Sequence, residues 1–294
     1  MGLPWVCKNV LLSLMWSLPG RLVLGCLILV ASAHGAPESH SAKPPRLPTL
    51  TVATFNILFQ NFDLAAVHEL IEQSEADIVF LQETNSESLD YLQRRLRARY
   101  PHQSWTDDED WAAGGFALLS KLPIISSRYV PRRHGGIFGT QVAELSLSPA
   151  KWGHARLTAV NVHLAPVNYH RLARAGSMAA ISKEFARLQA IHAKEMPAIL
   201  AEVAGKELAV VGGDFNSVEG QVAWRELAGA GFAEGPRTMA RPTWHWRAGG
   251  IFPISLRIDA VFANAALRPV SSVTTPTAAS DHSLVVTTLE LVRN

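Results

Sequence analysis

The chain has 294 residues, 48% of them hydrophobic, with 27 basic and 25 acidic side chains. That apolar share can fill the core of one ordinary domain and excludes a disordered or low-complexity chain. Both cysteines, Cys7 and Cys26, fall in the first 36 residues, which excludes a disulfide framework, a cysteine zinc site and a thiol nucleophile from the rest.

Residues 1–36 hold Lys8 and Arg21 and no acid, leaving 25 residues of each sign in the remainder. A formally neutral domain lacks the basic excess of a protein that grips nucleic acid mainly through its phosphates, although a local basic groove remains compatible with it. Two apolar runs, 10–18 and 22–33, are separated by Pro19, Gly20 and Arg21. The second run is 12 residues long, short for a membrane span, and Ala31-Ser32-Ala33 forms a small-residue cleavage pattern behind it. The reading is a signal peptide over 1–36, with Met15 a candidate start, and an exported protein, periplasmic or secreted. An uncleaved N-terminal membrane anchor over about 10–33 and a lipoprotein cut before Cys26 are the alternatives. A cysteine-free domain suits an oxidising compartment. Residues 37–49, rich in Pro and Ser, read as an extended linker, and 50–294 as a single domain expected to be a monomer.

The elements follow in chain order. A β-rich run covers 51–57; Asp63 is placed to cap a helix over 64–73; 76–82 is a buried strand. A helix over 86–99 carries Arg94, Arg95, Arg97 and Arg99 on a solvated face. Strands are predicted near 116–120, 124–129, 139–147 and 156–163, then a long helix over about 179–203. A strand at 207–213, a helix at 219–229 and strands near 256–262, 267–274 and 283–291 complete the chain. Hairpins mixed with isolated helices predict a layered α/β (α+β) protein with mixed sheets, not a doubly wound parallel sheet.

Polar residues gather where apolar strands stop: Asn56, Glu83, His163, Asp214, Asn216, Asp259, Asp281 and His282. Neighbouring strand ends converge on one edge of a sheet, so these side chains are candidates for one site. Their chemistry is coherent. Mg²⁺ takes hard oxygen ligands and keeps several waters, so Glu83 with Asn56 suffices to hold it. Hydrolysis of a phosphate ester further needs an activated water, a proton donor and charge stabilisation, which His163, Asp214, Asn216 and His282 can supply. An Asp beside a His orients the ring, and Asp259 with His282 is such a pair. Each residue also has a plainer reading: Asn56 as a turn residue, Glu83 as a helix cap, Asp214 as turn chemistry in GGDFNS, Asp259 as a partner of Arg257.

The segments TFNI (54–57), LQET (81–84), NVHL (161–164), GGDFNS (212–217), RIDAVF (257–262) and SDH (280–282) resemble, in order, the motifs of the endonuclease/exonuclease/phosphatase superfamily, over about 50–292. That group includes pancreatic-type DNases, abasic-site endonucleases, neutral sphingomyelinases and inositol polyphosphate 5-phosphatases. The resemblance implies a four-layered fold, a β-sandwich flanked by helices, with the active site at one end of the sheets. It implies Mg²⁺, with Mn²⁺ as a substitute, held by Glu83, with Asn56 in or next to the coordination sphere and Asp281 near the metal. Asp214 would orient or deprotonate the attacking water, and Asn216 would hold a non-bridging phosphate oxygen. His282, oriented by Asp259, would contact the phosphate or transfer a proton; His163 would bind the scissile phosphate or protonate the leaving group. Leu58 stands where abasic-site enzymes carry an acid, and those enzymes lack the histidine at the position of His163, so the resemblance points to the other branches.

The implied substrate is a phosphate ester. It is either nucleic acid, making the protein an exported nuclease, or a lipid head group or small molecule. A hydrolase of other esters and a non-catalytic binding module of the same fold are the remaining readings. Arg132 to Gly136, Trp105, Trp111, the acidic run 107–110, Trp244 to Arg247 and the segment Ala165 to Gly176 are candidates for the rim, each readable instead as plain surface or core.

Overall fold

The computed structural model describes residues 47–108, 111–132, 136–168, 171, 174, 177–236, 241–246 and 254–292; the expected leader and most of the linker lie outside them. Among the described residues, no helix is long and apolar enough to cross a membrane.

Two six-stranded sheets face each other. The first holds β1 (Thr49–Asn56), β2 (Ile78–Thr84), β3 (His102–Thr106), β4 (Gly115–Ser120), β13 (Leu267–Thr275) and β14 (Leu284–Leu291), in the order β13-β14-β1-β2-β4-β3. The second holds β5 (Ile124–Val130), β6 (Thr140–Ser146), β7 (Arg156–His163), β8 (Ala209–Asp214), β9 (Ala233–Glu234) and β12 (Asp259–Ala263), in the order β5-β6-β7-β8-β12-β9. A separate hairpin pairs β10 (Trp244–Trp246) with β11 (Ile254–Leu256). The helices are α1 (Leu64–Gln73), α2 (Ser86–Leu96), α3 (Pro149–Trp152), α4 (Met178–Val203) and α5 (Val222–Gly229).

Strand alternation sorts the apolar side chains into three layers. Leu50, Val52, Ile78, Phe80 and Leu118 of the first sheet meet Ala143, Leu145, Leu157, Val210 and Val261 of the second. The odd residues of β1 and β2, among them Phe55, Val79 and Leu81, pack on Val67 and Ile71 of α1 and Leu92 and Leu96 of α2. Val160, Val162 and Val211 pack on Met196, Ile199 and Val203 of α4 and on Trp224 and Leu227 of α5. Three apolar layers make four structural layers, helices outside and sheets inside, which is the fold class the sequence implies. Asp63 caps α1 by accepting from the Ala66 N–H. Asn85 and Ser88 form a capping box on α2. The cap of that helix is therefore Asn85, not Glu83.

Two strand pairs are parallel, β1 with β2 and β7 with β8, and each is joined by a crossover that contains a helix, α1 in one and α4 in the other. Parallel strands finish at the same edge. Asn56 thus ends level with Gln82, and His163 level with Asp214. Asp259 opens the antiparallel neighbour β12 opposite Asp214. Toward this edge the layer between the sheets turns polar. Gln82 Nε2 donates to Asn161 Oδ1 at 2.7 Å, and Asn161 Nδ2 donates to the Leu81 and Ala117 carbonyls at 3.0 and 3.2 Å. This buried link bolts the first sheet to the second just below the strand ends.

Candidate active site

Alternation places Asn56, His163, Asp214 and Asp259 on the inner faces, in line with the residues of the inter-sheet core. By the same count Glu83 should follow Leu81 toward the helices. It does not, because β2 bulges against β4 between Gln82 and Thr84, and Glu83 sits there with φ 59°. The bulge re-aims its carboxylate onto the site. In GGDFNS, a Cβ on Gly213, at φ 150°, would lie 1.9 Å from the Val162 carbonyl oxygen, so the segment needs glycine there. Asn216 takes φ 44° and donates its N–H to Asp214 Oδ1 at 2.8 Å, a local Asx turn that fixes the carboxylate.

The side chains converge on Asp214 Oδ2. Asn56 Nδ2 donates to it at 3.1 Å and to Glu83 Oε1 at 2.9 Å, so one amide bridges two carboxylates. His163 Nε2 and His282 Nε2 each stand 3.6 Å from the same oxygen. His282 Nδ1 meets both Asp259 oxygens at 3.1 and 3.0 Å, and Asp259 is anchored through its N–H to Thr243 Oγ1 at 3.0 Å. Arg257, the alternative partner for Asp259, pairs with Glu234 instead. Asp281 Oδ2 accepts from Trp244 Nε1 at 2.9 Å. Ser280 Oγ ties the segment to β1 by donating to the Asn56 carbonyl at 2.8 Å. All eight residues singled out in the sequence lie at this end of the sandwich.

The electrostatics separate the groups. Burial pushes the Asp214 carboxyl well above its usual range, and neighbouring Asp259 adds to the rise. Burial also raises Glu83, against the opposing hydrogen bonds from Asn56 and the Phe59 N–H. Burial, reinforced by the charge on His282, holds His163 down to about 3, so this ring is neutral. Burial acts on His282 in the same sense, but the Asp259 and Asp214 carboxylates outweigh it and keep the imidazolium protonated above the ordinary histidine range. Two histidines on either side of one carboxylate thus hold opposite charge states.

The donor set fits a hard divalent cation. Glu83 is fixed by Asn56 and by the Phe59 N–H at 3.0 Å, which leaves its remaining lone pairs for a ligand. Asp281 Oδ1 is buried without a hydrogen-bond partner among the described residues, and Asp281 is near enough to Glu83 to raise its pKa. Carboxylate oxygens without thiolates suit Mg²⁺ or Mn²⁺. The Asn56 amide nitrogen faces both carboxylates, so Asn56 orients ligands through its N–H groups. Asp214, Asp259 and His282 form a second cluster, with one ligand atom from each lying within 4.8 Å of the others. There the His282 ring nitrogen is already engaged by Asp259, which favours an acid–base pair.

Phe138, which the sequence did not single out, stacks on His163 with centroids 3.9 Å apart and planes 16° apart. Arg132 lines a small cavity with His163, while residues 133–135 lie outside the described set. Trp111 and Phe62 are exposed, the latter at 99%. Trp105 packs against the helix-side core, and Trp244 is buried and donates to Asp281. Of the rim segment after His163, Asn168 Oδ1 accepts the Arg171 N–H at 3.0 Å and Arg171 faces Glu184; Tyr169, His170 and residues 172, 173, 175 and 176 lie outside the described set.

Comparison with curated proteins finds no match. Among solved structures the chain is similar to an endonuclease/exonuclease/phosphatase from Beutenbergia cavernae DSM 12333, at 19% identity and TM-score 0.58, covering 83% of this chain and 72% of that one. It is similar to D. rerio TDP2 complexed with single-strand DNA product, at 16% identity and TM-score 0.59, covering 82% and 99%. It is also similar to beta toxin 275-280 from Staphylococcus aureus, at 17% identity and TM-score 0.60, covering 81% and 99%. At such identities the likeness establishes the fold. The sequence profile of the endonuclease/exonuclease/phosphatase family matches residues 53–282, most of the chain, and to that family the chain belongs.

Proposed function

We propose that the protein is a metal-dependent phosphodiesterase and that its substrate is a nucleic acid strand. The observation that carries the hydrolytic reading is the position of Asp214 Oδ2, held by Asn56 and flanked at 3.6 Å by both histidines. Glu83 and Asp281 would hold Mg²⁺ or Mn²⁺, with Asn56 orienting Glu83; a bound divalent ion supplies charge neutralisation at the phosphate oxygens. Asp214, raised by burial and fixed through both oxygens, accepts a proton from the attacking water. The water oxygen bonds to phosphorus as the ester P–O bond breaks. His282, protonated and oriented by Asp259, faces the developing charge and is the ring with a proton to give to the departing oxygen. Neutral His163 holds a phosphate oxygen by hydrogen bond. Asn216 gives one amide hydrogen to the Leu164 carbonyl at 3.0 Å and has a second for a non-bridging oxygen.

The nucleic-acid assignment is supported by the similarity to a TDP2 that carries a single-strand DNA product, and by Arg132 beside His163. A second reading, a lipid head group or small phosphate ester, is favoured by the charge balance outside the leader and by fully exposed Phe62. The leader pattern supports export, with retention as a membrane anchor the alternative; the N-terminal sequence of the protein recovered from its expressing cell distinguishes them. Plasmid nicking with Mg²⁺, controlled by EDTA and by His282→Ala, tests the substrate. Metal-dependent nicking lost in the variant is expected. Hydrolysis of a generic phosphodiester without nicking would reject nucleic acid in favour of the second reading.

A further inference from the structure

Helix α4 buries three titratable groups that the reaction above does not use; Glu184 pairs with Arg187, and His192 and Glu195 are the other two. They lie three apart on one face, the spacing that lets two side chains act on the same target. His192 Nε2 donates to the Ala165 carbonyl at 2.8 Å; a carbonyl oxygen only accepts, so this nitrogen carries the hydrogen. Glu195 Oε2 accepts the Ala165 N–H at 3.4 Å. Both backbone polar groups of Ala165 are thus held from the helix, two residues beyond His163. The Ile137 N–H, next in the chain to Phe138, also faces the Glu195 carboxyl and lowers its pKa. The turn presses onto it so closely that a Cβ on Gly136 would lie 2.4 Å from Glu195 Oε1.

We propose that Glu195 is a positioning residue for the site: from α4 it ties the 136–139 turn to the segment after His163, and so seats Phe138 on the His163 ring. The proposal rests on the hydrolytic reading above for its effect on rate, but not for its effect on the ring. A cavity of about 30 Å³ is lined by Phe138, His163, Leu164, Glu195 and Arg132 among others. It has room for roughly one water. Without the carboxyl the turn loses its anchor, and Phe138 and His163 gain that space to move into. Leu164 transmits the same displacement, because its carbonyl holds Asn216.

The test compares Glu195→Leu with Glu195→Gln in the full chain, on a chromogenic phosphodiester with Mn²⁺, and follows the His163 ring protons by NMR. A stacked phenyl ring shifts those protons upfield. Glu195→Leu is expected to lower kcat about tenfold or more with KM within about twofold, and to move the His163 signals downfield. Glu195→Gln, which keeps the length and one acceptor oxygen, is expected to stay within about threefold of the parent kcat and to leave the signals in place. Unchanged His163 signals or an unchanged kcat in Glu195→Leu would overturn the proposal. A parent protein that hydrolyses no phosphodiester would overturn the hydrolytic reading alone, since the NMR comparison still decides the role of Glu195. Should the Leu variant not fold, Gly136→Ala displaces the same contact from the loop side and is held to the same outcomes.

Discussion

Asp259 grips His282 Nδ1 with both carboxylate oxygens, at 3.1 and 3.0 Å, and so turns Nε2 of that ring toward Asp214. The pair joins the start of β12 to the segment just ahead of β14, in different sheets, and sets both the direction and the charge of the imidazole. Asp259→Asn keeps the shape and removes the charge that stabilises the imidazolium. It is expected to lower kcat by about 10²- to 10⁴-fold, the range for a positioned acid–base group, with a far-UV spectrum unchanged. His282→Ala and Asp214→Ala are expected to lose turnover altogether. Near-parent rates in any of the three would remove the assigned roles.

Metal removal tests Glu83 and Asp281. EDTA is expected to abolish activity and Mg²⁺ or Mn²⁺ to restore it. A ligand bound only by the folded state at 100 times its Kd adds about 2.7 kcal/mol of stability, so Mg²⁺ should raise the melting temperature of the parent. Glu83→Gln should lose most of that rise. Full activity in excess chelator, or an equal thermal rise in Glu83→Gln, would reject this ligand set.

Much of the site was legible because it is built from strand ends. Period-two alternation carries Asn56, His163, Asp214 and Asp259 onto inner faces, and the parallel pairs bring the ends level. Glu83 was legible as a residue but not as a direction, since only the bulge at φ 59° points it inward. Strand β3 has no signature in the sequence, because its residues are all half-buried and HQSWT shows no apolar alternation. The helix expected over 86–99 ends at Leu96 instead, where the Tyr100 N–H closes on the Leu96 carbonyl ahead of Pro101. Phe138 and Glu195 were not legible, because they act across loops. A carboxylate on an amphipathic helix looks the same in sequence whether it faces water or another backbone.

The polar link between the sheets should be more sensitive than its size suggests. Asn161 is fully buried and bonded to Gln82, Gln141 and two carbonyls of the first sheet. Asn161→Ala would strip one bond from each of these buried groups, Gln82 keeping Thr54, at about 1–3 kcal/mol for each group left unsatisfied. Denaturant unfolding should show a loss larger than the roughly 1 kcal/mol typical of a single substitution. A loss below that would mean water enters and replaces the amide.

Glu195 makes a prediction about stability that is independent of turnover. Burial pushes its carboxyl from the ordinary 4.5 up to about 7, against the opposing Ala165 and Ile137 N–H groups. The folded state therefore holds this proton more tightly than the unfolded chain. Its stabilising contribution is complete below about pH 4.5 and is lost as pH rises through about 7. Glu195→Gln has no proton to lose, while the other groups titrating in that window are shared and cancel in the comparison. The stability of the Gln variant relative to the parent should thus climb between pH 4.5 and 7 and then level off, by at most about 3 kcal/mol. Urea unfolding at pH 4.5, 6 and 8 measures it. A difference that stays flat across the three would mean the carboxyl titrates as if solvated, and a solvated Glu195 could not hold the turn that carries Phe138.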